Sequence, residues 1–146
     1  MSDQGRNRPF VIYVDDDTDD LFLIEQLFLE YAINMEMLPF NDSMKAYSFL
    51  KNLPGSGVQP CLIILDINLP GISGKELLVK LRNTNQYASI PIVLFSTSSS
   101  NIDKDFAYRY NAGFITKPLN FDQMGKIIGQ FIELCADDIK KFIRKP

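Results

Sequence analysis

Short apolar runs alternate along this chain with longer stretches in which apolar residues return every three or four positions. The runs fall at 10–14 (FVIYV), 61–65 (CLIIL) and 92–95 (IVLF), with a weaker one at 35–40 and a short one at 113–116 (GFIT). They are too uniformly apolar for strands with one wet face, so they predict a parallel sheet covered on both faces. In the first intervening stretch Leu21, Ile24, Leu27, Phe28 and Tyr31 recur at helical spacing, with Glu25, Gln26 and Glu30 on the opposite side. Further helices are expected over about 43–52, 74–83 and 101–110. The last of these is bounded by a Ser100-to-Asp103 capping box and by Asn111 and Gly113. A fifth begins after Asn120, a good N-cap with Gln123 three positions on, and carries the stripe Met124, Ile128, Phe131 and Cys135.

A helix thus follows every strand. This (βα)₅ alternation predicts a doubly wound α/β fold, with a five-stranded parallel sheet and helices on both faces through right-handed crossovers. The Gly- and Pro-rich segment 52–60 (NLPGSGVQP) is too short for a domain linker. We expect a flexible polar segment over 1–8, one domain over 9–136 and a helical extension over 137–146. In that extension the stripe of the fifth helix continues through Ile139 and Phe142, with Ile143 beside it and Asp137, Asp138, Lys140, Lys141, Arg144 and Lys145 elsewhere. Such an extended C-terminal helix must cover its apolar side, by docking on its own domain or, as we favour, by pairing in a homodimer.

Composition narrows the function. The 146 residues are 46% hydrophobic and 23% charged, enough for one buried core. A net charge of −3 offers no general attraction for nucleic acid or anionic lipid. No apolar run approaches the roughly 18 residues needed to cross a bilayer, and the first nine residues contain no apolar signal region. A cytoplasmic protein is expected. Cys61 and Cys135 lie in apolar runs without metal-ligand spacing and read as two buried thiols. There is no histidine, which excludes Ser-His-Asp catalysis, His-ligated zinc and a phosphohistidine relay.

The remaining chemistry gathers at the carboxyl ends of the apolar runs. Run one is followed by Asp15, Asp16 and Asp17, run three by Asp66, run four by Ser96 and Thr97, and run five by Lys117. In a parallel sheet these ends share one edge, where open α/β folds place their ligands. Three carboxylates from Asp15, Asp16 and Asp66 would repel one another unless a cation intervened, and oxygen ligands suit Mg²⁺. Asp66, alone at a central strand end, could then accept a phosphoryl group as an acyl phosphate, with Lys117 and Ser96 aimed at its oxygens. Singly, each of these residues has an ordinary explanation: Lys117 as a solvated cation, Ser96 as a turn residue. Asp17, Asp19 and Asp20 at the start of the first helix are read as capping and dipole-compensating acids.

VDDD at 14–17, LDINLPGISG at 65–74, the Ser96-Thr97 pair and NAGFITKP at 111–118 stand in this order and at these spacings. With them the chain closely resembles the receiver domain of bacterial two-component response regulators, of the stand-alone kind seen in chemotaxis regulators and phytochrome partners. The resemblance covers about 9–135 and implies a flavodoxin-like fold. It implies that Asp15 and Asp16 form the acid pair at a Mg²⁺ site, that Asp66 is phosphorylated, and that Asn68 adds its backbone carbonyl to the metal. Ser96 takes the place of the switch hydroxyl, and Lys117 that of the lysine before a proline, a bond usually cis in the family. Phe114 matches the aromatic that moves with the hydroxyl, often tyrosine in relatives. Thr97 is larger than the alanine or glycine common there, which would narrow access for small phosphodonors.

The resemblance further implies a sensor histidine kinase or phosphotransfer protein as donor and a downstream protein target as output, with no nucleic acid or membrane contact. Two other readings compete with this one. A haloacid-dehalogenase-type phosphatase would place a second acid two residues after its nucleophile, where this chain has Asn68. A phosphorylation-independent binding module would be expected to have lost part of the acid, hydroxyl and lysine set, and all of it is present.

Overall fold

The computed structural model describes residues 9–31 and 35–135. Its strands are β1 (Phe10–Val14), β2 (Glu36–Phe40), β3 (Pro60–Leu65), β4 (Ile92–Ser96) and β5 (Gly113–Thr116). The helices are α1 (Thr18–Tyr31), α2 (Ser43–Asn52), α3 (Gly74–Arg82), α4 (Asn101–Arg109) and α5 (Met124–Leu134). All strand pairings are parallel, in the order β2-β1-β3-β4-β5. The doubly wound α/β expectation therefore holds, with β3 at the centre of the sheet. The extension expected over 137–146, and the flexible segment expected over 1–8, lie outside the described residues.

Strand alternation divides the core. Val11, Tyr13, Leu62, Ile64, Val93 and Phe95 face α1 and α5, whose Leu21, Ile24, Phe28, Ile128 and Phe131 cover them. Phe10, Ile12, Val14, Ile63, Leu65, Ile92 and Leu94 face the opposite way, under Ala46 and Leu50 of α2, Leu77, Leu78 and Leu81 of α3 and Ala107 of α4. Burial on both faces is why these runs are continuous rather than alternating in sequence.

Local chemistry sets the helix ends. Asp42 caps α2 by accepting from the N–H groups of Met44 and Lys45, and Ser73 and Glu76 form a full capping box on α3. On α4 only half of the expected box exists. Ser100 Oγ accepts from Asp103 N–H (3.2 Å), while the shorter Asp103 carboxylate turns to Lys75 Nζ (2.5 Å). Asn111 ends that region with φ 56°, a left-handed conformation Asn tolerates better than most residues. Gly113 plays no such part and opens β5. Asn120 is not the cap of α5. A 3₁₀ turn over Phe121–Gln123 precedes it, and α5 starts at Met124 after Gln123 with no side-chain cap, the tight first turn that often fronts an α-helix.

Arg82, in the last turn of α3, ties two connections together, the one between α3 and β4 and the one between α4 and β5. Its guanidinium donates to the carbonyls of Tyr110 (2.8 Å), Tyr87 (2.8 Å), Ile90 (2.8 Å) and Asn111 (3.1 Å). Only the planar fork of an arginine reaches all four acceptors. Arg82→Lys should therefore lower the unfolding free energy by about 2–3 kcal/mol, since it strips several carbonyls of a charged donor. Urea unfolding with an unchanged slope checks this; a loss below about 1 kcal/mol would mean water replaces the guanidinium without penalty.

Candidate functional site

The backbone carries each ladder one residue beyond the strands and so aims the polar set. Asp15 N–H donates to Phe40 O (3.0 Å), Asp66 N–H to Val14 O (2.9 Å) and Lys117 N–H to Ser96 O (2.7 Å). Because β1 and β3 are neighbours, Asp15 and Asp66 emerge side by side. Lys117 leaves β5, two strands from β3, and its side chain bridges the gap over Phe95 of β4, with Nζ 5.5 Å from the ring centroid. That ammonium reaches Asp15 Oδ2 at 2.7 Å, Asp20 Oδ2 at 3.0 Å and Asp66 Oδ2 at 3.3 Å.

Asp15 is fully buried, and Asp66 and Lys117 nearly so. Asp15 Oδ2 also accepts from Tyr13 O–H (2.7 Å), and its Oδ1 accepts from Asp17 N–H (3.0 Å). Asp66 Oδ1 accepts from Asn68 N–H (3.3 Å). Burial, reinforced by the charge of Asp15, pushes the Asp66 carboxyl up to about 6, although Lys117 and the Asn68 N–H pull the other way. Burial alone would lower the Lys117 pKa. The hydrogen bonds and charges of Asp15, Asp20 and Asp66 outweigh it and hold the ammonium above its ordinary range. Burial, then the neighbouring Asp15 carboxylate, likewise keeps the Tyr13 hydroxyl protonated.

Asp15, Asp16 and Asp66 each offer a carboxylate oxygen within 4.8 Å of the others, with Asp16 exposed at the mouth. Three acids share one ammonium, and Asp16 stands beside two of them. Asn68 is exposed beside them, with its N–H directed at Asp66. The structure brings together Asp15, Asp16, Asp66, Asn68 and Lys117, but not Ser96. The buried Ser96 hydroxyl accepts from Ser98 N–H (3.1 Å) and makes no hydrogen bond to the acids among the described residues. Two positions beyond Leu94, Ser96 belongs to the α2–α4 side of the sheet, as does Phe114, the β5 partner of Leu94. Thr97 is exposed.

Three contributors were not foreseen. Asp20, read from its position as a helix-end acid, pairs with Lys117, while Asp17 does the capping by accepting from the N–H groups of Asp19 (3.0 Å) and Asp20 (3.2 Å). Tyr13, two residues before Asp15 and so on the same face, could have been found from strand alternation. Gly74 is required by close approach: a Cβ there would lie 2.0 Å from Asp66 O, so only glycine lets the start of α3 pack behind the acid. Gly71 holds the same loop at φ 79°. The described residues contain no cis peptide bond, so Lys117–Pro118 is trans against the cis form implied by the resemblance. The isomers of such a bond differ by only about 0.5–1 kcal/mol, and a proline alone does not select one.

This arrangement has counterparts. The response regulator receiver domain family matches residues 11–129. The chain belongs to that family. It is 27% identical over 131 residues to Response regulator Rcp1 of Synechocystis sp., an alignment spanning 88% of this chain and 89% of Rcp1. Its fold is similar to that of the phosphorylated cyanobacterial phytochrome response regulator RcpA, with a TM-score of 0.79 and 27% identity over 90% of this chain and 96% of that one. It is also similar to the Mn²⁺-bound form of response regulator Rcp1, with a TM-score of 0.75 and 26% identity over 84% and 90% of the two chains. The protein is a receiver-domain response regulator of two-component systems, similar to Rcp1, and its aspartate cluster is consistent with the acidic metal pocket of such domains. No helix among the described residues is long and apolar enough to cross a membrane.

The raised Asp66 carboxyl has a consequence for the metal-free protein. A folded-state pKa above the unfolded value favours the native state while the carboxyl is protonated, so this contribution is present below about pH 4 and lost as pH rises through about 6. Urea unfolding in EDTA should show the Asp66→Asn variant gaining about 2 kcal/mol on wild type between the two ends of that window. Parallel pH profiles for the two proteins would show that Asp66 titrates normally.

Proposed function

We propose that the chain is a phosphoacceptor switch in which Asp66 receives a phosphoryl group from a sensor histidine kinase or phosphotransfer protein, with Mg²⁺ at Asp15, Asp16 and Asp66. The observation that carries this reading is the excess of carboxylate over ammonium in one buried crevice. Burial, and then the neighbouring Asp15 charge, raise the Asp66 pKa even with Lys117 in contact, and three carboxylates meet at that point, so the residues fit a further hard cation. Asp15, Asp16 and Asp66 would hold it, with the Asn68 carbonyl as a further ligand. When bound, the ion supplies charge neutralisation to the carboxylates and to the incoming phosphoryl oxygens. The Mn²⁺-bound form of Rcp1 and the phosphorylated state of RcpA lend support as properties of those relatives.

The residues of this chain divide the remaining work. An Asp66 carboxylate oxygen forms the new O–P bond as the P–N bond to the donor's histidine breaks, and the histidine nitrogen leaves with the electron pair. Lys117 turns its ammonium from the carboxylates to a phosphoryl oxygen and offsets its charge. Asp20 keeps hold of that ammonium while Asp66 is converted from a carboxylate into an acyl phosphate. Ser96 donates its hydroxyl to the phosphoryl group, giving up Ser98 N–H, and Phe114 on the same side of the sheet fills the space left behind. The output is a protein contact on the altered surface, without multiple turnover of a substrate.

A labelled histidine kinase tests the core of this reading. Transfer should occur to wild type in Mg²⁺, and should disappear in EDTA and in Asp66→Asn. Label on Asp66→Asn at the wild-type rate would refute the acceptor. Lys117→Ala should still bind Mg²⁺ yet show none of the beryllofluoride-induced NMR shifts at Ser96, Phe114 and α4 that wild type shows. Shifts confined to the Asp66 loop in wild type would remove Ser96 and Phe114 from the switch.

A further inference from the structure

The fold brings together two cysteines that are 74 positions apart. Cys61 lies at the start of β3, and Cys135 is the residue that closes α5. Both side chains are buried thiols in the core between the sheet and helices α1 and α5. Cys135 Sγ stands 3.6 Å from Cys61 Sγ. A disulfide requires about 2.05 Å, so closure of about 1.5 Å is needed, within reach of small rotations about the two Cα–Cβ bonds.

We propose that Cys61 and Cys135 are a modification site, forming an intramolecular disulfide that clamps the end of α5 to the start of β3 when the protein meets a peroxide. In the first step the Cys135 sulfur, as thiolate, attacks one peroxide oxygen. An S–O bond forms, the O–O bond breaks, and the second oxygen leaves as water with the thiol's proton. In the second step the Cys61 sulfur attacks the resulting sulfenic sulfur. The S–S bond forms, the S–O bond breaks, and the hydroxyl leaves as a second water with the Cys61 proton. Two thiols are oxidised and one peroxide is reduced to two waters.

The order of attack follows from the surroundings. Cys61 is fixed inside β3, whereas Cys135 closes α5, so a local opening of that helix end presents Cys135 to the peroxide first. The closed core also makes the reaction slow, and its gate is the last turn of α5. That turn has no basic residue to offset the helix dipole, and Leu134 within it is partly exposed. Its final backbone bond is Cys135 N–H to Ile132 O at 3.1 Å. Local fraying there admits a molecule as small as hydrogen peroxide without global unfolding. In a reducing compartment thiol exchange returns the pair to the dithiol.

The consequence is positional. The bond fixes the end of α5, the point from which the chain continues into residues 136–146. Cys61 and Asp66 lie at opposite ends of β3, about 16 Å apart along the strand, so the modification stands independent of the reading proposed for the acids.

The test is wild-type protein treated with a small molar excess of hydrogen peroxide, then denatured in an alkylating agent. The expected product is monomeric, two hydrogens lighter than the reduced chain and without alkyl groups. Proteolysis should release a Cys61–Cys135 linked peptide that dithiothreitol separates. The urea midpoint of the oxidised protein should rise and return on reduction, because the cross-link closes a long loop. Cys61→Ser should retain none of this protection and give oxygen adducts at Cys135. Two alkyl groups on treated wild type, oxygen adducts on separate cysteines, or disulfide-linked dimers in place of the monomeric product would each overturn the proposal.

Discussion

Two buried carboxylates on neighbouring strands, Asp15 and Asp66, are held together by one ammonium that starts two strands away from β3. Lys117 can reach them only because β4 lies between as a flat apolar ramp, with Phe95 under the lysine stem. The strand order, the parallel direction and the uniformly apolar interior all serve that reach. An antiparallel neighbour would send one of the three residues to the far edge of the sheet. A polar residue in place of Phe95 would compete for the ammonium.

The site remains unbalanced even so. Asp15 and Asp66 are buried, so the repulsion between them is screened weakly, and a single cation shared among Asp15, Asp20 and Asp66 cannot neutralise all of them. Burial raises the Asp66 pKa and the Asp15 charge adds to it, while Asp15 itself has the closer partners: the ammonium at 2.7 Å, the Tyr13 hydroxyl and the Asp17 N–H. The least satisfied carboxylate is thus the one in the centre of the sheet. A group that adds positive charge there gains both from the new bond and from relief of the old repulsion.

Much of this was legible because it is written in periods and end positions. Continuous apolar runs gave away a sheet covered on both faces, and the residues following those runs included Asp15, Asp66, Ser96 and Lys117. What the chain did not disclose depends on lengths and angles. Asp20 and Asp17 both looked like helix-end acids, and only the path of Lys117 separates the capping one from the ion-paired one. Asp103 fits the capping-box pattern, but its side chain is one methylene shorter than glutamate and finds Lys75 instead. The two cysteines, 74 positions apart, carry no local signal of their meeting. The side of the sheet taken by Ser96, opposite the ramp under Lys117, follows from the face that Leu94 takes, which only the packed core reveals.

That last placement shapes how a change at Asp66 could reach the surface. Ser96 Oγ accepts from Ser98 N–H at 3.1 Å, Ser98 Oγ from Ser100 N–H at 3.2 Å, and Ser100 Oγ from Asp103 N–H at 3.2 Å. Three hydroxyls in succession thus support the segment between β4 and α4, and the last of them is the helix cap. Each such bond contributes only about 1 kcal/mol, whereas the charged Arg82 guanidinium binds the other end of α4 through two carbonyl contacts, to Tyr110 and Asn111. The weak end of α4 is therefore the end nearest Asp66. Drawing the Ser96 hydroxyl toward a phosphoryl group would remove the acceptor of Ser98 N–H, and the segment must then find a new arrangement up to the cap. Beyond the cap the Lys75–Asp103 pair, which ties α4 to the start of α3, sets how far the rearrangement travels. Because Gly74 places that same end of α3 against the Asp66 carbonyl, both ends of the path begin at one residue.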